Sequence, residues 1–404
     1  AVGKSALAAN TTGADNTALG MSALLTSTTG TNNVALGTKA LMDSTTGGYN
    51  TAVGAYANEN NTTGTSNVSV GRASLNENST GDNNVAIGRN ALLANTTADD
   101  NTAVGYASLG ANTTGGNLTA VGKGALAANT TANDNTAVGL QSLTSNTTGA
   151  SNTAVGRDAG EFATTADGST FIGSFAGQGI TGAKLTGDDN TAVGKNAGLN
   201  LQGAATNNTL LGASAGDTIT TGVNNIIIGY VSDVSAADAS TQFVLGHGVT
   251  SVGNGNFTFG DGTTDSNIAH GATSITAPSD QRYKEEITTS TAGLSFIKDL
   301  RPVTFKWKKE KDLPTSHRAY VDASESRTIN DYTNHGFVAQ EVKTAIDAHS
   351  EIKDGFDMWS TDDQADGGRQ RIGDASLMPM MVKAVQELST ALDAALARIT
   401  TLEG

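Results

Sequence analysis

The chain of 404 residues has no cysteine, only four prolines, and aromatic side chains at 5% of its positions. Without cysteine there are no disulfides and no thiolate metal sites, and the redox compartment cannot be read. All four prolines (Pro278, Pro302, Pro314, Pro379) and both tryptophans (Trp307, Trp359) lie at or beyond residue 278. No stretch is apolar and long enough to cross a bilayer, and no secretory signal is visible, so membrane insertion is not expected. Positive charge is also scarce: 24 Lys and Arg stand against 39 Asp and Glu. The net charge of −15 argues against a phosphate-binding surface, and so against nucleic acid as a partner. Residues 1–278 hold 18 acidic and 8 basic side chains, and residues 279–404 hold 21 and 16.

Glycine is abundant, and it is periodic. Gly3, Gly20, Gly37, Gly54, Gly71, Gly88, Gly105, Gly122, Gly139, Gly156 and Gly173 stand 17 residues apart. Gly194, Gly212, Gly229 and Gly246 continue the series with small insertions. The repeat reads roughly Asn-Thr-Ala-Val-Gly-x-x-Ala-Leu-x-x-Asn-Thr-Thr-Gly-x-Asp. A strict short period specifies stacked identical units, not a pocketed globular domain. The composition alone resembles disorder, but the fixed register of the apolar positions argues against it. The chain opens at Ala1 in mid-repeat, without Met, and reads as a piece of a longer protein.

The residue before each repeat glycine is aliphatic (Leu19, Leu36, Val53 and onward), and the one before that is usually Ala (Ala18, Ala35, Ala52). Neighbours on a strand point to opposite faces. One face is therefore aliphatic and the other small and apolar. An uncharged two-faced strand calls for burial on both sides. A narrow coil can bury one face within itself, and the other is most simply covered by identical chains. Two polar columns support stacking. One is Asn16, Asn33, Asn50, Asn67, Asn84, Asn101, Asn135 and Asn152, interrupted by Leu118; the other is Thr12, Thr29, Thr46 and their equivalents. The Asn column is expected to form an amide ladder, and the glycines suit corners at positive φ. The Asn-Thr-Thr runs are formally glycosylation sequons but read as corners. Asp99-Asp100 and Asp188-Asp189 read as solvated loop carboxylates, since neither sits in a full calcium loop. No cofactor and no metal site is expected.

Over about residues 1–230 the pattern resembles the head repeats of trimeric autotransporter adhesins, which implies a parallel β-roll packed as a trimer. From Gly156 onward the Ala-Leu after the glycine becomes Ala-Gly, as in Ala159-Gly160 and Ala176-Gly177, and Phe162, Phe171 and Phe175 appear. A change of cross-section is expected there. Residues 247–278 read as a β transition, with alternation in Asn256-Phe257-Thr258-Phe259 suggesting strands and turn chemistry in 261–265.

Residues 279–404 read as an α/β mixture with its own small core. Leu294, Phe296, Ile297, Leu300, Val303, Phe305 and Trp307 lead into a basic run, and His335–Val342 is strand-like. The last stretch carries a heptad stripe, Met378, Met381, Val385, Leu388, Leu392, Ala395, Ile399 and Leu402, which points to a coiled-coil helix. Four blocks in order, 279–284, 294–306, 335–342 and 377–388, resemble the endosialidase-type intramolecular chaperone domain. Phage tailspikes and tail fibres end in such a domain, and a related one occurs in myelin regulatory factor.

The resemblance implies a domain that trimerises, guides folding of the β-fibre before it, and then cuts itself off. By position, Ser279 is the implied nucleophile and Lys284 the general base, with cleavage between Pro278 and Ser279. Arg282 is a candidate oxyanion partner, and His335 matches a family histidine near the cut. The chemistry is sensible, because a Ser hydroxyl needs a base and burial can lower a Lys pKa towards neutrality. On spacing alone, Ser279-Asp280 reads as a helix N-cap, with Lys284 an exposed helix residue in a chain that does not cut; it is the four-block resemblance that favours the dyad.

The reading is a mainly β protein: a parallel β-solenoid of 17-residue repeats (1–246), a β transition (247–278), and an α/β chaperone domain (279–404) ending in a coiled coil. The expected function is a homotrimeric viral tail fibre on the virion, attaching to a host-surface glycan or protein receptor and joined to other tail proteins. Its enzyme activity would be a single self-cleavage in cis. The alternatives are a polysaccharide-degrading tailspike, which needs paired acids and aromatic platforms, and a bacterial adhesin head.

Overall fold

A computed structural model describes residues 1–263, 265–272, 281, 284–315, 320–352, 358–361, 370–373 and 377–403. The chain divides into two compact units, Ala1–Ser279 and Asp280–Gly404. Among the described residues no helix is long and apolar enough to cross a membrane.

The first unit is a parallel β-solenoid. Its sixteen strands form one sheet in strict chain order, from β1 (Thr17–Leu19) through β14 (Phe243–Gly246) to β15 (Asn256–Gly260) and β16 (Ser266–Ala269). Each short strand lies one repeat from the next, so Thr17, Ala18 and Leu19 stand opposite Val34, Ala35 and Leu36. The transition segment continues the same ladder: β15 pairs parallel with β14, and β16 closes it antiparallel.

The repeat glycine is dictated by space as well as by dihedral angle. Gly20 has φ +141°, and a Cβ there would lie 2.3 Å from the Gly37 carbonyl oxygen in the next coil. The strand alanines Ala35, Ala52, Ala86 and Ala103 are fully buried and form the inner wall. Facing them are the corner leucines Leu24, Leu41, Leu75, Leu92, Leu109, Leu126 and Leu143, also fully buried. All seven corner leucines adopt left-handed backbone, with φ near +50°. That conformation costs about 1–2 kcal/mol for an L-residue. Burying a leucine side chain returns about 1.5–3 kcal/mol, so the corner is tolerated because the side chain reaches the core.

The expected change after Gly156 is an exchange of core volume between strand and corner. Phe171 takes the inner strand position where most coils have Ala, while Gly160 and Gly177 replace the corner Leu. A Cβ on Gly160 or Gly177 would come 2.7 Å and 2.1 Å from the Phe171 ring. Leu210 repeats the device between Gly198 and Gly216, each with 2.7 Å of clearance. Strand register is unbroken, with Ala154 opposite Phe171 and Phe171 opposite Ala192. The coil between Gly173 and Gly194 is lengthened the most, and a small Ile180–Ala183 bridge closes its extra loop.

Polar side chains hold neighbouring coils in two different ways. In the Asn16 column, the Asn16 Oδ1 accepts the Asn33 backbone N–H at 2.9 Å, and the Asn33 Nδ2 donates to the Gly47 carbonyl. Up to Asn152 this column bonds to backbone, and only its later members Asn208 and Asn225 donate Nδ2 to the preceding Oδ1; the longer amide ladder lies elsewhere, along Asn61, Asn78, Asn95, Asn112, Asn129 and Asn146. Each of the last five donates its Nδ2 to the preceding Oδ1 at 2.9–3.1 Å. These are the first residues of the Asn-Thr-Thr or Asn-Ser-Thr runs, and all are fully buried. In the folded chain they are closed to glycosylation. The next residue donates its hydroxyl to the coil ahead, as Thr62 does to the Ser79 carbonyl at 2.8 Å. The last Thr of each run, such as Thr63 or Thr97, faces solvent.

The second unit contains α1 (Leu294–Asp299), β17 (Val303–Phe305), β18 (Asn334–Gly336), α2 (Ala339–Ala348), β19 (Trp359–Thr361), β20 (Gln370–Ile372) and α3 (Leu377–Glu403). β17 pairs antiparallel with β18, and β19 with β20. The strand expected over 335–342 stops at Gly336, and the chain turns into α2 at Ala339. The reason is periodicity: Val342, Ala345 and Ile346 reach the core at helical spacing. With Ala292, Phe296, Leu300, Ile352, Met358 and Met380 they form a single small core.

Candidate functional site

Four of the site candidates fall within residues 278–284, at the boundary of the two units in sequence, and the fifth, His335, lies well inside the second. Pro278, Ser279 and Arg282 lie outside the described residues. Lys284 is exposed in the extended run before α1, and its backbone N–H donates to the Gln281 carbonyl at 3.1 Å. His335 sits at the centre of β18, directly opposite Thr304 of β17, with its side chain exposed. Lys284 and His335 thus stand on separate segments.

Four sets of interactions that sequence reasoning missed tie this unit together. Glu387 of α3 accepts the Leu294 backbone N–H at 2.8 Å and so caps α1, which has no capping side chain of its own. That hydrogen bond, helped by Lys383, holds the Glu387 carboxyl below its ordinary pKa. His349, at the end of α2, bridges Asp299 (Nε2 to Oδ2, 2.9 Å) and Glu351 (Nδ1 to Oε1, 3.1 Å). Its ring meets Phe296 edge-on at 5.4 Å. Hydrogen bonds to Asp299 first and Glu351 second raise its pKa. Arg301 of the α1–β17 connection pairs with Glu341 of α2, lowering that carboxyl. Glu325, between Lys309 and Lys311, is lowered to about 2. Apart from His349–Glu351 and Lys383–Glu387, no local pattern marks these pairs, since the partners lie 14 to 93 residues apart.

Two surfaces are bare. On α3, Met380 and Ala384 face the core, while Met378, Met381, Val385, Leu388, Leu392, Leu396, Ile399 and Leu402 are exposed. Leu396 is exposed where the heptad reading had placed Ala395. On the solenoid, alternation leaves the aliphatic column on the outer face. Leu19, Ile87, Val155, Ile172, Leu211 and Leu245 there are between 38% and 51% exposed. The face flagged in sequence as needing a cover is therefore the Val/Leu face.

The acidic pairs have structural duties. Asp99 accepts the Asp82 backbone N–H at 2.7 Å, Asp100 accepts from the Asn83 side chain, and Asp188 accepts the Asp167 N–H. Asp82 itself accepts the Thr65 N–H.

A parallel β-solenoid followed by a small α/β unit with an apolar helix face defines a repeat protein carrying a second, separate domain. Residues 279–350 match the family model described as chaperone of endosialidase. The second unit therefore carries an endosialidase-type chaperone domain, and with the solenoid before it the chain fits a tail fibre or tailspike-like protein. No curated protein and no solved structure matches the chain.

Proposed function

We propose that the chain is part of a homotrimeric viral tail fibre that attaches the virion to a host-surface glycan or protein. Its C-terminal domain drives trimerisation and in-register folding of the solenoid, then releases itself between Pro278 and Ser279. The carrying observation is the family match, which begins at Ser279 itself. The bare α3 face supports the assembly step, because aligning register-sensitive coils on three free chains is entropically costly and a small helical domain lowers that cost. Removing the domain afterwards would leave the solenoid kinetically trapped.

The cleavage step balances within the chain. Lys284 takes the proton of Ser279 Oγ as the oxygen attacks the Pro278 carbonyl carbon. The Pro278–Ser279 C–N bond breaks and the proton passes to the Ser279 nitrogen. Water hydrolyses the resulting ester, leaving a Pro278 carboxylate and a free Ser279 amine. Arg282 or backbone N–H groups would stabilise the oxyanion, with His335 assisting.

Attachment is favoured over polysaccharide hydrolysis by the solenoid carboxylates Asp82, Asp99 and Asp188, which accept backbone N–H bonds. A hydrolase needs such groups poised on substrate. Intact mass and denaturing gels of the expressed chain test the proposal. The expected result is a fragment starting at Ser279, lost in Ser279→Ala and in Lys284→Ala. Wild-type chain that folds, trimerises and stays whole overturns the cleavage step.

A further inference from the structure

The basic residues of the solenoid are not scattered. Six of the eight in residues 1–278 occupy one position, immediately after the repeat glycine: Lys4, Arg72, Arg89, Lys123, Arg157 and Lys195. All six are exposed. This column borders the C-terminal edge of the outer strand face. A second column, five or six residues before the repeat glycine, borders the N-terminal edge. It carries Asp15, Asp82, Asp99, Asp134, Asp167 and Asp189.

The two columns are matched coil by coil. Lys4, Arg72, Arg89, Lys123 and Arg157 are each followed, 10 or 11 residues on, by an acid at the opposite edge: Asp15, Asp82, Asp99, Asp134 and Asp167. In the coils of regular length, a neutral residue in the first column goes with a neutral one in the second: Met21 with Thr31 and Asn32, Ala55 with Thr65 and Ser66, Leu140 with Ala150 and Ser151; the exception is Ser174, which precedes Asp188 and Asp189 across the lengthened coil. In the lengthened coil Lys195 instead shares its own coil with Asp188 and Asp189. Within the chain these partners do not meet. Among the described residues, the ion pairs of the solenoid are Lys39–Glu59 and Arg157–Asp158.

We infer that the outer strand face is covered by a second copy of this chain, parallel and in register, with the basic edge of one copy against the acidic edge of the next. This rests on the trimer reading and adds which edges meet. In a closed rotational ring every interface is heterologous, joining two different edges of the same surface. A two-fold axis across the solenoid, which makes the copies antiparallel, would set base against base. Each exposed pair is worth no more than about 1 kcal/mol, so the half-exposed aliphatic column supplies the adhesion. The charges favour one direction and register, because a slip by one coil, about 4.8 Å, brings most of the cations against neutral positions, as Lys123 against Asn117 or Ser151.

The cysteine-free chain makes the test direct. In the full chain, Lys123→Cys combined with Asp134→Cys is treated with a short bis-maleimide, and the mass of the untreated protein is measured by light scattering. The expected result is a covalent trimer on denaturing gels from the double variant, with no cross-link from either single variant. Arg157→Cys with Asp167→Cys is expected to behave the same, and keeps the test valid if the first pair misfolds. Lys123→Cys with Asp99→Cys, which is out of register, is expected not to link. Dimers from Lys123→Cys alone, a link closed within one chain, or an unlinked trimer overturns the edge assignment while leaving the trimer reading intact. A monomer by light scattering overturns both.

Discussion

Gly177 and Phe171 compete for one volume: a Cβ on Gly177 would lie 2.1 Å from Phe171 Cδ1. Gly177→Leu is expected to destabilise the solenoid by about 1–3 kcal/mol through overpacking. Phe171→Ala should cost about 3–5 kcal/mol through the cavity it leaves. Combining them rebuilds the Ala/Leu arrangement of the earlier coils, and the double variant should be more stable than the sum of the two losses. Thermal unfolding of the four proteins gives the coupling, and simple additivity would sink the exchange.

Within each Asn-Thr-Thr run the three residues should respond differently to truncation. Asn95 donates to Asn78 and to the Ala98 carbonyl, and accepts from Asn112, all in a fully buried ladder. Asn95→Ala strands those buried partners and should cost about 1–3 kcal/mol per group left unpaired. Thr97→Ala, at an exposed position, should stay within about 0.5 kcal/mol of wild type. Chemical denaturation midpoints of the two variants check this, and equal losses would contradict the ladder.

The C-terminal unit should be most stable in mildly acidic to neutral solution. His349 has a raised pKa, so its contribution is complete below its ordinary value of 6.5 and is lost as pH rises through the folded value. Glu387, Glu351 and Glu341 have lowered values, so theirs is present above the ordinary 4.5 and lost as pH falls through the folded values. His349→Gln should flatten the alkaline limb and leave in place the part of the acid limb that Glu387 and Glu341 supply. Melting temperatures across pH 3 to 9, on the order of one unit apart, measure both limbs.

The bare face of α3 should govern assembly. Leu388 and Leu392 are each 59% exposed, although large apolar faces on helices are ordinarily covered. Leu388→Lys with Leu392→Lys should shift the full chain from oligomer to monomer by light scattering, with helix content in circular dichroism unchanged. An unchanged mass would place the contact elsewhere.

Much of the architecture was legible without coordinates. The 17-residue period fixes strand register, since any other pairing would break the glycine column, where no Cβ fits. The heptad stripe announced α3, and four sequence blocks pointed to the chaperone domain that the family match supports. The implied nucleophile Ser279 and the cut after Pro278 came from resemblance alone and lie outside the described residues.

What the sequence determined is whatever depends on spacing: the period, the parallel stack, the corners and the final helix. Spacing could not say which strand face turns inward, because both are uncharged. Closure of the coil decides that, by admitting only the small side chains Ala and Ser beside the left-handed leucines. Nor could it tell the buried Asn61 ladder from the backbone-bonding Asn16 column, since both repeat alike. The pairs His349–Asp299 and Glu387–Leu294, 50 and 93 residues apart, exist only because helices pack. Contacts of that range carry no local signature, and only the tertiary structure decides them.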